Sequence, residues 1–71
     1  MTKEIQSTIL IGEKIKTLRK QNKETQLDLA KAIGQVRSTI ACYETDQRFP
    51  TFDVLVAIAK HYKISLDYFA E

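Results

Sequence analysis

The chain is poor in the residues that build most catalytic and metal sites. Its 71 residues include one histidine, one cysteine and no tryptophan. With His61 as the only histidine, no nucleophile, base and orienting group can be assembled in the usual way. His61 and Cys42 lie far apart in the sequence and do not form a zinc site, so His61 is interpreted as a surface residue. We therefore expect no enzymatic activity, no metal and no cofactor.

The lone cysteine also excludes an intramolecular disulfide framework, which is typical of a protein from a reducing cytosol. No apolar run approaches the roughly 18 residues that a membrane-spanning helix needs. The N-terminal segment has only a short apolar block and no cleavage site, so it is not a signal peptide. These absences predict a cytoplasmic protein without a membrane partner.

The hydrophobic spacing contains no strand candidate, no repeat and no low-complexity tract. It predicts a compact five-helix bundle of the all-α class, in which residues 1–8 are a flexible segment and 9–71 form one domain. A domain of this size lies near the limit of independent stability. The predicted helices run from a cap at Ser7 or Thr8 to about Gln21, then over about 26–33, 36–45, 52–62 and 65–69.

The segment 26–45 reads as two short helices joined by a tight turn. Thr25 and Asp28 form a capping pair at the start of the first helix, and Gly34 ends it, because glycine adopts a positive φ without a Cβ clash. The spacing of Val36, Ile40 and Tyr43 places them on one face, which is expected to pack inward. The opposite face is either an ordinary solvated surface or one that fits a DNA major groove, and it carries Arg37, Ser38, Ala41 and Cys42.

Two further features complete the predicted body. Asn22 is a candidate left-handed residue at the end of the first helix. The fourth helix carries a stripe that is predicted to be buried, formed by Phe52, Leu55, Ile58, Ala59 and Tyr62.

Charge is unevenly distributed along the chain. The net charge is only +2, but residues 14–37 contain seven basic residues and two acidic ones. A basic front half suits a polyanionic partner, and a solvated helix surface explains it equally well.

Four residues of the segment 26–45 stand at the spacing of a known family. Gln26, Ala30, Gly34 and Ile40 stand at relative positions 1, 5, 9 and 15, a pattern that resembles the helix-turn-helix of phage repressor and Cro-type regulators, the XRE class. The similarity extends over about 10–69, through LRKQNKETQLDLA, STIACYE and RFPTFDVLVAIAKHYKISLDYF. It implies a lambda-repressor-like DNA-binding domain with its helix-turn-helix at about 26–45.

The resemblance implies a role for each matching position. Arg37, Ser38, Ala41 and Cys42 correspond to base-contacting positions, and an arginine reads guanine best. An oxidation-sensitive Cys42 is an alternative to a small, neutral groove-facing side chain. Arg19 and Glu44 correspond to an internal ion pair. The implied phosphate contacts come from Thr25, Gln26, Thr45, Gln47 and Arg48.

The sequence departs from the family pattern at four positions. Val36 replaces the serine or threonine that normally caps the recognition helix. Lys23, Asp46 and Lys63 stand where the family often has glycine, so each is expected to adopt a strained left-handed conformation.

The resemblance implies a transcriptional regulator, in most cases a repressor, from a bacterial cytosol or a phage. Its implied partner is double-stranded DNA, as an inverted-repeat operator. It is expected to bind this operator as a homodimer whose two copies meet through the last helix. No small-molecule ligand is evident. The chain is either a minimal Cro-like regulator or a DNA-binding domain cut from a longer protein. The alternative function is an antitoxin-like or adaptor module that uses the same fold to bind a protein.

Overall fold

The computed structural model describes residues 10–70, and in this range the chain forms five helices and no strand. The prediction of an all-α bundle is therefore confirmed. The predicted flexible segment 1–8, with the caps Ser7 and Thr8, lies outside the described residues. The helices are α1 (Ile11–Gln21), α2 (Gln26–Ile33), α3 (Arg37–Glu44), α4 (Phe52–Tyr62) and α5 (Asp67–Ala70).

The start of α2 is stabilised by a reciprocal pair of hydrogen bonds. The backbone N–H of Asp28 donates to Thr25 Oγ1 at 3.0 Å, and the backbone N–H of Thr25 donates to Asp28 Oδ2 at 2.9 Å. Both bonds satisfy donors that a helix start would otherwise leave unpaired. The backbone N–H of Thr25, and then its hydroxyl, lower the pKa of the Asp28 carboxyl, because each stabilises its charged form. The predicted capping pair is confirmed.

Four of the described residues adopt a left-handed conformation, each just after a helix. Gly34 closes α2 at φ 73°, and the next amide, of Gln35, donates to Ala30 O at 2.8 Å. Lys23, Asp46 and Lys63 adopt φ values of 58°, 62° and 59°, as expected from their replacement of glycine.

The prediction for Asn22 is wrong, because its φ is −98° and the left-handed position is the next residue, Lys23. Asn22 instead continues the turn of α1. Its backbone N–H and its side-chain Nδ2 both donate to Leu18 O, at 3.1 and 2.8 Å. The reversal of direction therefore falls on Lys23, at a cost of about 1 kcal/mol.

The core joins all the helices. Each of the four longer helices supplies one large side chain that is fully buried, namely Ile15, Leu29, Ile40 and Ile58. Ala30 is also fully buried on α2, where a small side chain permits close approach of the neighbouring helix. The other buried apolar side chains are Leu18, Tyr43, Ala59 and Phe69.

Two residues that were predicted to face this core are exposed. Val36 is 63% exposed, because it precedes α3 in an extended conformation and the helical spacing does not apply to it. Phe52 is 69% exposed at the first position of α4, where no part of the described chain covers its ring.

The first turn of α1 lies very close to the end of α3. A Cβ atom added to Gly12 would lie 2.4 Å from the carbonyl oxygen of Tyr43 and 2.7 Å from Asp46 Oδ1. Only glycine fits this contact. Within residues 10–70, no helix is both long and apolar enough to cross a membrane.

Candidate nucleic-acid interface

A buried ion pair joins α1 to the C-terminal end of α3. Arg19 is 8% exposed, and its Nε and Nη2 donate to Glu44 Oε2 and Oε1 at 2.7 and 3.1 Å. The remaining edge of the guanidinium is also used, because Nη1 donates to the carbonyl oxygen of Glu24 at 2.8 Å. The hydrogen bonds that Arg19 donates to Glu44 raise the pKa of Arg19 despite burial, so this arginine stays charged.

Gln26 connects this ion pair to Arg37 at the start of α3. Its Nε2 donates to Glu44 Oε1 at 3.1 Å, and its Oε1 accepts from Arg37 Nη1 at 2.9 Å. Because an ionised carboxylate only accepts hydrogen bonds, Glu44 determines which end of the Gln26 amide faces Arg37. The result is a continuous chain of contacts from Arg19 through Glu44 and Gln26 to Arg37.

Arg37 therefore lies exposed at the start of α3 with one of its donors held. The bond to Gln26 uses Nη1, and within residues 10–70 neither Nε nor Nη2 has an acceptor. Those two groups form the side-on edge of the guanidinium, which can donate two parallel hydrogen bonds. Arg37 is thus an exposed arginine whose guanidinium is held at Nη1, while its Nε and Nη2 edge has no acceptor among the described residues.

The other predicted base-contacting residues share this face. Ser38 is exposed, while Ala41 and Cys42 are partly buried one turn further along α3. Cys42 Sγ lies 3.9 Å from Oε1 of Gln47, which places the loop after α3 beside the same face. The side chains that follow Arg37 on this face, Ser38, Ala41 and Cys42, are small and uncharged, so α3 can lie close to the walls of a groove in a partner.

The predicted phosphate-contacting residues fall into two groups on either side of this face. At the start of α2, the backbone N–H groups of Gln26 and Leu27 have no acceptor among residues 10–70. The positive end of the helix dipole adds to these free donors, so the position suits an anion. The Thr25 hydroxyl belongs to the capping pair, in which it accepts from the Asp28 backbone N–H and stabilises the Asp28 carboxylate.

The second group follows α3. The Thr45 hydroxyl donates back to Ala41 O at 2.9 Å, which closes the helix rather than leaving that proton free. The backbone N–H of Gln47 donates to Cys42 O at 2.9 Å, so the loop is held against the end of α3. Gln47 and Arg48 are exposed there, and Arg48 supplies the positive charge.

Sequence reasoning missed a cluster that joins the segment before α2 to the end of α4. Glu24 Oε2 lies 2.7 Å from His61 Nε2, and Glu24 Oε1 accepts from the Tyr62 hydroxyl at 2.6 Å. Burial, reinforced by the bond to Glu24, raises the pKa of Tyr62, so its hydroxyl stays protonated and donates. His61 is thus a half-buried partner of the segment before α2 rather than a plain surface residue.

An open apolar groove of about 290 Å³ lies between α1, α4 and α5, on a different part of the surface from Arg37. Its lining is almost wholly apolar, and the exposed Phe52 forms part of it. The remaining lining residues are Ile11, Leu55, Leu66, Phe69 and Ala70. Within residues 10–70, no three histidine, cysteine, aspartate or glutamate side chains are placed to hold a metal ion.

The bundle, the tight turn at Gly34 and the exposed face of α3 together define a helix-turn-helix domain. The helix-turn-helix domain family matches residues 12–71, and the chain belongs to it. Among solved structures, the P22 c2 repressor in complex with a synthetic operator is 33% identical, with a TM-score of 0.79 over 84% of this chain and 91% of that one. The DNA-binding domain of the same repressor in solution gives 33% identity and a TM-score of 0.83 over 89% and 83% of the two chains. The predicted resemblance to phage repressor and Cro-type domains is confirmed.

A curated relative is the uncharacterized HTH-type transcriptional regulator YobD of Bacillus subtilis (strain 168). It is 38% identical over 56 residues, which are 79% of this chain and 50% of the relative. The chain therefore spans about half the length of the curated relatives it matches.

Proposed function

We propose that the protein is a sequence-specific, DNA-binding transcriptional regulator without catalytic activity, and that it inserts α3 into the major groove of an operator. The observation that carries this proposal is the geometry of Arg37, which is exposed and held through Nη1 by Gln26, and whose Nε and Nη2 edge has no acceptor among residues 10–70. That edge matches O6 and N7 of guanine, the pair of acceptors that arginine reads in the major groove. Repression is the mode we expect, because an occupied operator blocks access to the DNA beneath it.

The flanking groups supply affinity that does not depend on sequence. We propose that the free N–H groups at the start of α2 bind one phosphate and that Arg48 binds another beyond α3. Ser38, Ala41 and Cys42 would lie in the major groove between these two phosphates. Gln47 and Thr45 would approach the DNA backbone near Arg48. Phosphate contacts fix the register of α3, while base contacts select the sequence.

A randomised pool of DNA duplexes tests the proposal. We expect the protein to select a defined sequence and to lose affinity steeply as salt rises, because phosphate binding releases counterions. On the selected duplex, Arg37→Ala should weaken binding by about 1–3 kcal/mol and relax the choice at one base pair. Arg37→Lys is the matched control, since lysine keeps the positive charge but lacks the two parallel donors of arginine. It should lose much of the discrimination between base pairs while it keeps most of the salt-dependent affinity for DNA.

The alternative, a protein-binding adaptor or antitoxin-like module on the same fold, would give a different result. It would select no sequence from the pool, and Arg37→Ala would leave duplex binding unchanged at any salt concentration. Either result contradicts the proposed function. A uniform loss on all sequences for Arg48→Ala, by contrast, is expected from a phosphate contact.

We also propose that the regulator acts as a homodimer in the cytoplasm and that a second copy covers the apolar groove. Nothing in the described part of the chain covers the groove, which exposes Phe52 together with side chains of α5, and an apolar surface of this kind is typical of an interaction site. A two-fold dimer would present two α3 helices to half-sites about one helical turn apart.

Phe52→Ser should therefore shift the protein from dimer to monomer in analytical ultracentrifugation. The fold should be retained, because this ring is 69% exposed. Phe49→Ser is the matched control, since Phe49 is 70% exposed but does not line the groove. A wild-type protein that is monomeric at high concentration, or a dimer that both substitutions disrupt equally, would contradict this assignment of the interface.

A further inference from the structure

Val36 is an unfavourable residue for its position in the fold. It is the residue immediately before α3, and no side-chain hydrogen bond caps that helix. Serine, threonine, aspartate and asparagine are preferred there because their oxygens accept a bond from the first turn, and valine cannot do so. The side chain is also 63% exposed, so it gains little from burial.

Solvent reaches the Val36 side chain directly beside the exposed start of α3. Val36 has φ −102° and ψ 157°, so it lies in extended backbone immediately before the helix. The next two residues, Arg37 and Ser38, are exposed as well, whereas Gln35 before it is partly buried. Val36 is therefore an exposed apolar residue adjacent in sequence to Arg37.

We propose that Val36 contacts the 5-methyl group of a thymine next to the guanine that Arg37 reads, and so determines part of the operator sequence. This inference rests on the proposed function and extends it to a residue that the family pattern assigns to capping. Thymine is the only base that presents a methyl group in the major groove. A β-branched side chain is stiff at χ1, so it offers a fixed apolar surface without polar atoms that would need partners.

The proposal explains why a residue that does not favour the fold occupies this position. A local rule that is broken without a folding benefit is most often broken at a functional site. Restoring the capping oxygen should stabilise α3 and at the same time remove the methyl contact. Stability and DNA discrimination should thus change in opposite directions, which a purely structural role for Val36 does not predict.

The test combines changes in the DNA with changes in the protein. On the duplex selected from the randomised pool, each thymine is replaced in turn by deoxyuridine, which lacks only the methyl group. Wild-type protein should lose about fourfold in affinity at one thymine beneath the start of α3, the effect of one methyl group withdrawn from an apolar contact. For Val36→Ala, the same replacement should have no effect.

Val36→Ser is the second variant, because serine is a good N-cap. It should raise the melting temperature of the free domain and also lose the deoxyuridine effect. Val56→Ala is the matched control. Val56 is a partly buried valine on α4 that does not line the apolar groove, and its variant should keep the wild-type response to deoxyuridine.

The outcomes separate this inference from the function on which it rests. If no duplex is selected, the proposed function fails and the inference fails with it. If a sequence is selected and Arg37→Ala relaxes it, the function stands. The inference is then overturned by a selected site without thymine beneath α3, or by a Val36→Ala variant that still distinguishes thymine from deoxyuridine.

Discussion

Glu44→Gln is expected to reduce the free energy of unfolding by about 3–5 kcal/mol, because it leaves the buried charge of Arg19 without its partner. The side chains of Arg19 and Glu44 are only 10% and 3% exposed, so solvent cannot replace the lost contact. For a domain of this size the loss amounts to much of the total stability. Urea denaturation followed by circular dichroism measures it, and Glu13→Gln on the exposed part of α1 is the control, with an expected change below about 0.5 kcal/mol.

A double variant distinguishes a charge effect from a packing effect. Replacing both partners, as Arg19→Met with Glu44→Leu, removes the unpaired charge and should recover most of the lost stability. The double variant should nevertheless bind DNA poorly, because Gln26 then loses the acceptor that orients its amide toward Arg37. A double variant that is less stable than Glu44→Gln would contradict this explanation, as would a single variant close to wild type.

Gly12→Ala is expected to destabilise the domain by about 2 kcal/mol, although alanine is the better helix former. The new methyl group would lie 2.4 Å from the carbonyl oxygen of Tyr43, and a backbone atom cannot move aside without separating α1 from α3. Overpacking of this kind typically costs about 1–3 kcal/mol or more, and it outweighs a gain of about 1 kcal/mol in helix propensity. Thermal and urea unfolding of the variant give the measurement.

Gly34→Ala is the control for this substitution, because its constraint is of a different kind. Apart from Gly34 and its chain neighbours, no heavy atom of residues 10–70 lies within 4 Å of a Cβ built on Gly34, so the left-handed conformation at φ 73° is what opposes the change. We expect a loss of about 1 kcal/mol there. A larger effect at Gly34 than at Gly12 would show that the contact between α1 and the end of α3 is not as tight as the structure has it.

The features that sequence alone predicted correctly are local ones. The capping pair of Thr25 and Asp28 and the turn at Gly34 depend on residues a few positions apart, and they follow from backbone chemistry. The left-handed positions at Lys23 and Asp46 were predicted from the family pattern, which carries backbone geometry even where glycine is replaced.

The two errors in predicted burial have separate physical causes. Helical spacing predicts that Val36 is buried, but that spacing applies only after the helix has begun, at Arg37. Its apolar side chain and its position on a helix predict that Phe52 is buried, whereas its exposure depends on which other surfaces reach it.

Other features require contacts that no spacing rule encodes. The cluster of Glu24, His61 and Tyr62 joins residues 37 and 38 positions apart, and Gly12 matters only because the end of α3 approaches it. The same holds for the bond between Gln26 and Arg37. Family resemblance assigns both residues to DNA contact, while the three-dimensional structure adds that one orients the other.

On the function proposed above, the exposed face of α3 is the surface that meets DNA. Backbone amide shifts in NMR spectra, recorded while the protein is titrated with its selected duplex, test this most directly. We expect the largest changes at 36–42, with smaller ones at 25–27 and 45–48 and little change along the outer face of α4. Changes that are concentrated on α4 and α5, with 36–42 unaffected, would contradict the account.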